Sequence, residues 1–185
     1  MKKNIISISG DIASGKGTVC NILKEKLNYE IYSASMVFRQ MAREMNMSIS
    51  EFGKYVEERP HLDLETEERM KKYAEENDNV ILDGRMAWYV APFSFKVYMK
   101  VDTDVAAKRV MGASRGKEDT YNSVEEAREA IKERFENENI RYKNVYGVDK
   151  TDPSNYDLIF DTTDNTPEMC AEIIYEAYKS WLEDK

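Results

Sequence analysis

Gly10-Asp11-Ile12-Ala13-Ser14-Gly15-Lys16-Gly17-Thr18 lies between an apolar run, Ile5 to Ser9, and the helix-patterned Val19 to Leu23. Strand, glycine-rich loop and helix in that order suit phosphate binding. The glycines let backbone N–H groups converge on phosphate oxygens, the helix N-terminus adds partial positive charge, and Lys16 reaches the transferring phosphate. Gly17 fills the position where the general pattern has Ser or Thr, and Thr18 follows it. On this reading Gly10, Ala13, Ser14, Gly15, Lys16, Gly17 and Thr18 hold the phosphates of a nucleotide; the alternative is a glycine turn with an unrelated lysine.

Arginines supply the second signal. An acceptor hydroxyl needs a group to take its proton, whereas an acceptor that is itself a phosphate is already an anionic nucleophile and needs clamps. Guanidinium forks provide such clamps bidentately. Ser35, Arg39 and Arg43 recur every four residues and so share a helix face. Arg134, Glu138 and Arg141, at steps of four and three, share another. Both stripes also suit solvated salt-bridge faces.

Asp83-Gly84-Arg85 closes an apolar run, at the strand end where open parallel sheets bind ligands. An aspartate there, beside a phosphate loop, orients magnesium or its waters, with Thr18 as a second oxygen; a turn or helix-cap aspartate is the alternative. Arg109 and Arg115 bracket the entry to a Gly/Ser/Lys/Asp/Thr stretch from Gly112 to Asn122, whose closure would carry them onto the donor phosphates. They also suit exposed arginines favoured at a helix C-terminus. Lys117 receives no role.

These residues need a frame. Ile5 to Ser9, Val80 to Asp83, Phe93 to Val101 and Tyr156 to Phe160 read as strands buried on both faces, with Glu30 to Tyr32 a weaker fifth. Helical spacing covers Gly15 to Leu27, Ser35 to Met45, Ser48 to Glu58, Leu62 to Glu76, Thr103 to Gly112, Ser123 to Tyr146 and Thr166 to Leu182. Ser48 to Glu51 and Ser123 to Glu126 read as capping boxes, and Thr166-Pro167 as a cap followed by proline. Alternating strands and helices imply an α/β three-layer sandwich around a parallel sheet of five strands. A helical insert, about 34–77, flanks the cleft, and about 112–122 forms a short lid within a single domain.

The 185 residues, 42% hydrophobic and 34% charged, are enough for one domain with a sizeable core. A net charge of −8 has the wrong sign for a surface that grips nucleic acid or anionic lipid. Cys20 and Cys170 are expected as reduced core thiols, His61 as a turn residue, and the two tryptophans and twelve tyrosines as packing. No run reaches transmembrane length or forms a signal peptide, so a cytoplasmic monomer without membrane or nucleic-acid partners is expected.

The chain resembles the nucleoside monophosphate kinases of the P-loop NTPase fold, and within them the archaeal type of cytidylate kinase. Gly15 to Thr18 match that group's loop, and Ser33 to Arg39 the start of its monophosphate-binding helix. Met47 to Gly53 match its next segment, Asp83 to Arg85 its acidic-Gly-Arg element, and Lys132 to Asp149 its later arginine-bearing helix. The resemblance implies ATP as donor, Mg2+ as metal and CMP or dCMP as acceptor. It also implies that Arg39, Arg85, Arg134 and Arg141 contact substrate phosphates, Lys16 and Thr18 hold those of ATP, Ser35 and Glu138 touch the acceptor, and Arg109 is the arginine near the lid. Asp11-Ile12 departs from the proline-containing start usual in these loops. Met86 stands where bacterial members carry Asp and archaeal ones an apolar residue, which leaves base recognition unassigned. Alternatives are a kinase for AMP or UMP, a small-molecule kinase with a hydroxyl acceptor, and a nucleotide-binding regulator without transfer.

Overall fold

Five short strands, β1 (Ile5–Gly10), β2 (Glu30–Ser33), β3 (Val80–Asp83), β4 (Phe95–Lys100) and β5 (Leu158–Asp161), form one parallel sheet in the order β2-β3-β1-β4-β5. The computed structural model describes residues 3–57, 59, 61–112 and 121–183. Helices α1 (Lys16–Leu27), α2 (Ala34–Glu44), α3 (Ile49–Glu57), α4 (His61–Glu76), α5 (Ala87–Val90), α6 (Thr103–Gly112), α7 (Val124–Tyr146) and α8 (Pro167–Glu183) connect and cover it. The expected fold class is the observed one.

Side-chain alternation along β1 divides the interior into two layers. Ile6 and Ile8 pack with Leu23 of α1 and Ile174 and Tyr178 of α8, whereas Ile5 packs with Val37 and Met41 of α2, Phe52 of α3 and Met70 of α4. Cys20 and Cys170 sit in the first layer, 1% and 2% exposed, and burial pushes both thiols' pKa up. Ser7 and Ser9 are buried but paired: Ser94 donates to the Ser7 hydroxyl at 2.8 Å, and Ser9 donates to the Gly84 carbonyl at 2.9 Å. The Ser9 bond fixes the backbone that carries Arg85.

The caps work largely as expected. Ser48 accepts from Glu51 N at 3.2 Å while the Glu51 carboxylate accepts from Ser48 N at 2.8 Å, a complete capping box. Ser123 caps α7 through Glu126 N at 3.1 Å, but the Glu126 carboxylate reaches Asn122 N, one residue earlier. The Thr166 hydroxyl accepts from Met169 N at 3.2 Å.

Most element bounds fall within a residue of the sequence reading, and two strand starts shift by two. β4 starts at Phe95 because Ser94 N turns back to the Ala91 carbonyl at 3.0 Å. β5 starts at Leu158, since Pro153–Asn155 forms a 3-10 turn that keeps Tyr156 out of the ladder. The one-turn α5, which apolar periodicity cannot resolve at that length, was not anticipated. Between β2 and β3 the chain is helical, as α2, α3 and α4, and Arg69 of α4 pins α2 by bonding both Glu44 oxygens at 3.0 and 2.7 Å. Most of the expected lid, with Arg115 and Lys117, lies outside the described residues.

Candidate active site

The loop after β1 turns sharply into α1. Gly10 packs so closely on β4 that a Cβ there would lie 2.5 Å from the Met99 carbonyl oxygen, which requires glycine. Asp11 N donates to that carbonyl at 2.9 Å. The Asp11 carboxylate then accepts from the Tyr98 hydroxyl at 2.7 Å and Val101 N at 3.1 Å, so it braces the loop from beneath. Ala13 and Gly15 adopt left-handed conformations, with φ of 61° and 87°. Gly15 caps α1 without a side-chain acceptor, which suits an anion at the helix start. Thr18 is exposed on the first turn of α1.

Lys16 reaches across to β3, where its ammonium lies 3.0 Å from the Asp83 carboxylate. Asp83 pairs in register with Ile8 of β1 and Ser33 of β2, which sets it at the carboxyl ends of three adjacent strands. Ser33 caps α2 by accepting from Met36 N at 3.2 Å. That cap aims the first turns of α2 along the cleft, with Arg39 donating to Ser35 at 3.4 Å.

Lys16, Ser35, Arg39, Asp83, Gly84, Arg85, Arg134, Glu138 and Arg141 all line one cleft of about 1130 Å³. Phe38, Ile49, Gly53 and Val56 form an apolar wall on the α2–α3 side, and Ile140, Tyr142 and Val145 face it from α7. Five cationic side chains against three carboxylates make this lining an island of positive charge on a protein of net charge −8. Arg43, one turn beyond Arg39, lies outside the lining.

Glu138 is the hub of the α7 stripe. Its Oε2 lies 2.8 Å from Arg85 Nε and 2.9 Å from Lys150 Nζ, and its Oε1 lies 3.3 Å from Arg134 Nε. At 11% exposure, Glu138 belongs to a partly buried network and not to a solvated salt-bridge face. Arg141 stacks over the Tyr142 ring, 5.1 Å from its centroid, and bonds its hydroxyl at 3.3 Å. Burial pushes the Tyr142 phenol up despite that arginine.

Arg109 takes a different place from the rest. It donates to the carbonyls of Ala13 at 3.3 Å, Thr162 at 2.8 Å and Thr163 at 3.2 Å, and so ties the loop to the turn after β5. It does not line the Lys16 cleft.

Two residues escaped the sequence reading: Asp11 as a brace, and Lys150. Lys150 is 4% exposed, and burial pushes its pKa down while Glu138 opposes that shift. A lysine following Gly147-Val148-Asp149 carries no pattern that marks it as buried. Only the Arg-Glu-Arg spacing nearby hinted that Glu138 needed partners.

A parallel sheet in this order, with the Lys16 loop at its carboxyl edge and helices on both faces, defines the fold of P-loop kinases. A shikimate kinase from Bacteroides thetaiotaomicron shares it at a TM-score of 0.66 and 16% identity, covering 97% of each chain. Residues 5–164 match the model of the cytidylate kinase-like family, and the chain belongs to that family. A cytidylate kinase from Methanopyrus kandleri is 38% identical over 97% of this chain and 95% of its own length. Another, from Pyrococcus abyssi, is 39% identical over 94% of this chain and 92% of its own length.

Proposed function

We propose that this protein transfers the γ-phosphoryl group of ATP to a nucleoside monophosphate, CMP or dCMP, as a monomer in the cytoplasm. The observation that carries this reading is the convergence of Lys16, Arg39, Arg85, Arg134 and Arg141, from separate stretches of chain, on one cleft. Relatives named cytidylate kinase, matched over nearly their whole length, favour cytosine as the base.

The donor phosphates lie in the Gly10 to Thr18 loop, where the uncapped start of α1 supplies N–H donors. Ser14 Oγ is buried with no hydrogen-bond partner among the described residues, and a phosphate oxygen would satisfy it. Magnesium fits the donor set: it keeps several waters and takes oxygens from substrate phosphates, so the Asp83 carboxylate and Thr18 hydroxyl suffice to hold it or its waters. When bound, it neutralises charge on the donor phosphates.

The acceptor phosphate lies against Ser35, Arg39, Gly84 and Arg85. Its oxygen attacks the γ-phosphorus in line as the bond to the β–γ bridging oxygen breaks and ADP leaves, and no side chain takes a proton because the nucleophile is already ionised. Lys16, Arg85, Arg134 and Arg141 stabilise the charge that spreads over the transferring group. Arg109 supports the donor side by fixing Ala13 of the loop.

A coupled assay of ADP formation with CMP, dCMP, UMP, AMP and a hydroxyl acceptor such as shikimate tests this reading. The expected result is the highest kcat/KM with CMP or dCMP. Absence of ADP above background with both would refute the assignment, and nucleotide binding without turnover on any acceptor would favour a regulator.

A further inference from the structure

We propose that Lys150 is a positioning residue of the transfer site: through Glu138 it holds Arg85 and Arg134 in the arrangement that grips the substrate phosphates. The inference rests on the kinase reading above and adds a residue to it. Lys150 follows the left-handed Gly147 cap of α7, where a lysine would ordinarily extend into water. Here the turn is knitted so that its side chain runs inward. Asp149 accepts from Thr151 N at 2.8 Å, Asn155 donates to the Asp149 carbonyl at 2.8 Å, and the Tyr156 hydroxyl donates to the Lys150 carbonyl at 2.7 Å. The ammonium ends 4.6 Å from the centre of the Phe135 ring and 2.9 Å from Glu138 Oε2.

Stability alone does not account for that ammonium. Desolvating it is costly, and a buried ion pair replaced as a whole by apolar side chains often leaves a fold as stable or more so. Its chemistry is spent on one atom, since Glu138 Oε2 accepts from Lys150 at 2.9 Å while Arg85 Nε stands 2.8 Å from the same oxygen as an ion pair. Two cations on one oxygen and Arg134 on the other restrain the carboxylate at both ends. With Nε drawn against Glu138 by charge, the terminal nitrogens of Arg85 remain for phosphate oxygens. Without Lys150, the Glu138 carboxylate is free to swing, and both guanidiniums lose their common reference point.

Lys150→Met and Glu138→Gln, made singly and together in the full chain, test the proposal. Four readouts apply: melting temperature, kcat and KM for CMP and ATP, CMP binding by calorimetry, and the nitrogen-15 resonance of Arg85 Nε–H. Lys150→Met is expected to fold and to lose about 30-fold in kcat/KM for CMP, the scale set by misplacing reacting groups. Glu138→Gln loses a similar factor, and the double variant falls within about threefold of the worse single, because one residue acts through the other. Both single variants displace the Arg85 resonance. Lys150→Arg, which keeps a cation against Glu138, recovers part of the loss. Losses that multiply, a Lys150→Met enzyme within twofold of wild type, or an unmoved Arg85 resonance would each overturn it. A wild type that phosphorylates no monophosphate defeats the kinase reading instead, and the resonance still decides the role of Lys150. If Lys150→Met does not fold, Lys150→Gln carries the same expectations.

Discussion

The Lys16 ammonium and the Asp83 carboxylate stand 3.0 Å apart, with side chains 19% and 21% exposed, and so join the glycine loop to the end of β3. In the proposed reaction these two charges would part, the ammonium to grip the donor phosphates and the carboxylate to hold magnesium or its waters. Lys16→Ala is expected to lower kcat by about 100-fold or more, the scale of losing a group aimed at transition-state charge. Asp83→Asn should instead raise the magnesium concentration needed for half-maximal rate. Steady-state assays over a magnesium series separate the two effects.

Arg39 lies on the exposed face of α2, one turn beyond Ser35, and lines the cleft from the α2–α3 side. Arg39→Ala should raise KM for the monophosphate about 10- to 100-fold, the worth of a charge-assisted pair, with KM for ATP little changed. Arg39→Lys should recover only part of this, because an ammonium cannot bind two oxygens as a fork does. Equal effects on both substrates would move Arg39 out of the acceptor site.

Gly10 touches the backbone of β4 so closely that any side chain must push the strands apart. Gly10→Ala should cost about 1–3 kcal/mol, the usual range for overpacking a tight interior. Chemical denaturation measures that loss. Activity should fall further than stability, since the displaced strand end carries the phosphate loop.

What the sequence revealed and what it hid divide along physical lines. The phosphate loop, the strands and the longer helices are local patterns, so Gly10 to Thr18, the Ser48 box and the Thr166 cap were legible from residue order. The gathering of Arg39, Arg85 and Arg134 around Lys16 was expected from helix faces and strand ends, and these residues do share a cleft. Glu138 left two readings open, because a Glu between two Arg looks the same on a solvated face as in a buried hub. Lys150 was invisible, since its burial depends on Tyr156 and Phe135 meeting it from other stretches of the fold. Arg109 read as a phosphate ligand; its carbonyl partners sit on the Ala13 turn and the turn after β5, contacts that spacing cannot encode.

Buried phenols should weaken the fold at alkaline pH. Burial is the largest cause raising the pKa of Tyr98, Tyr156 and Tyr178, with Asp11 adding to it at Tyr98 and Tyr156 and the Tyr29 hydroxyl at Tyr178. In the unfolded chain these groups ionise near about pH 10, while in the fold they stay protonated. Their contribution is therefore fully present below the unfolded pKa and is lost as pH rises from there toward the folded values. Denaturation midpoints should stay level from about pH 7 to 9 and drop steeply above about pH 10. Tyr178→Phe, which removes one such group, should make that drop shallower.

Cys20 and Cys170, on the buried faces of α1 and α8 with their thiol pKa values pushed up by burial, offer little to maleimide reagents. Labels can therefore be addressed elsewhere without first stripping the native sulfur. Ile49 on α3 and Ile140 on α7 are 53% and 60% exposed and face the cleft from opposite sides. A donor and acceptor dye on Ile49→Cys and Ile140→Cys would turn the molecule into a ruler of its own gap, read as each nucleotide arrives.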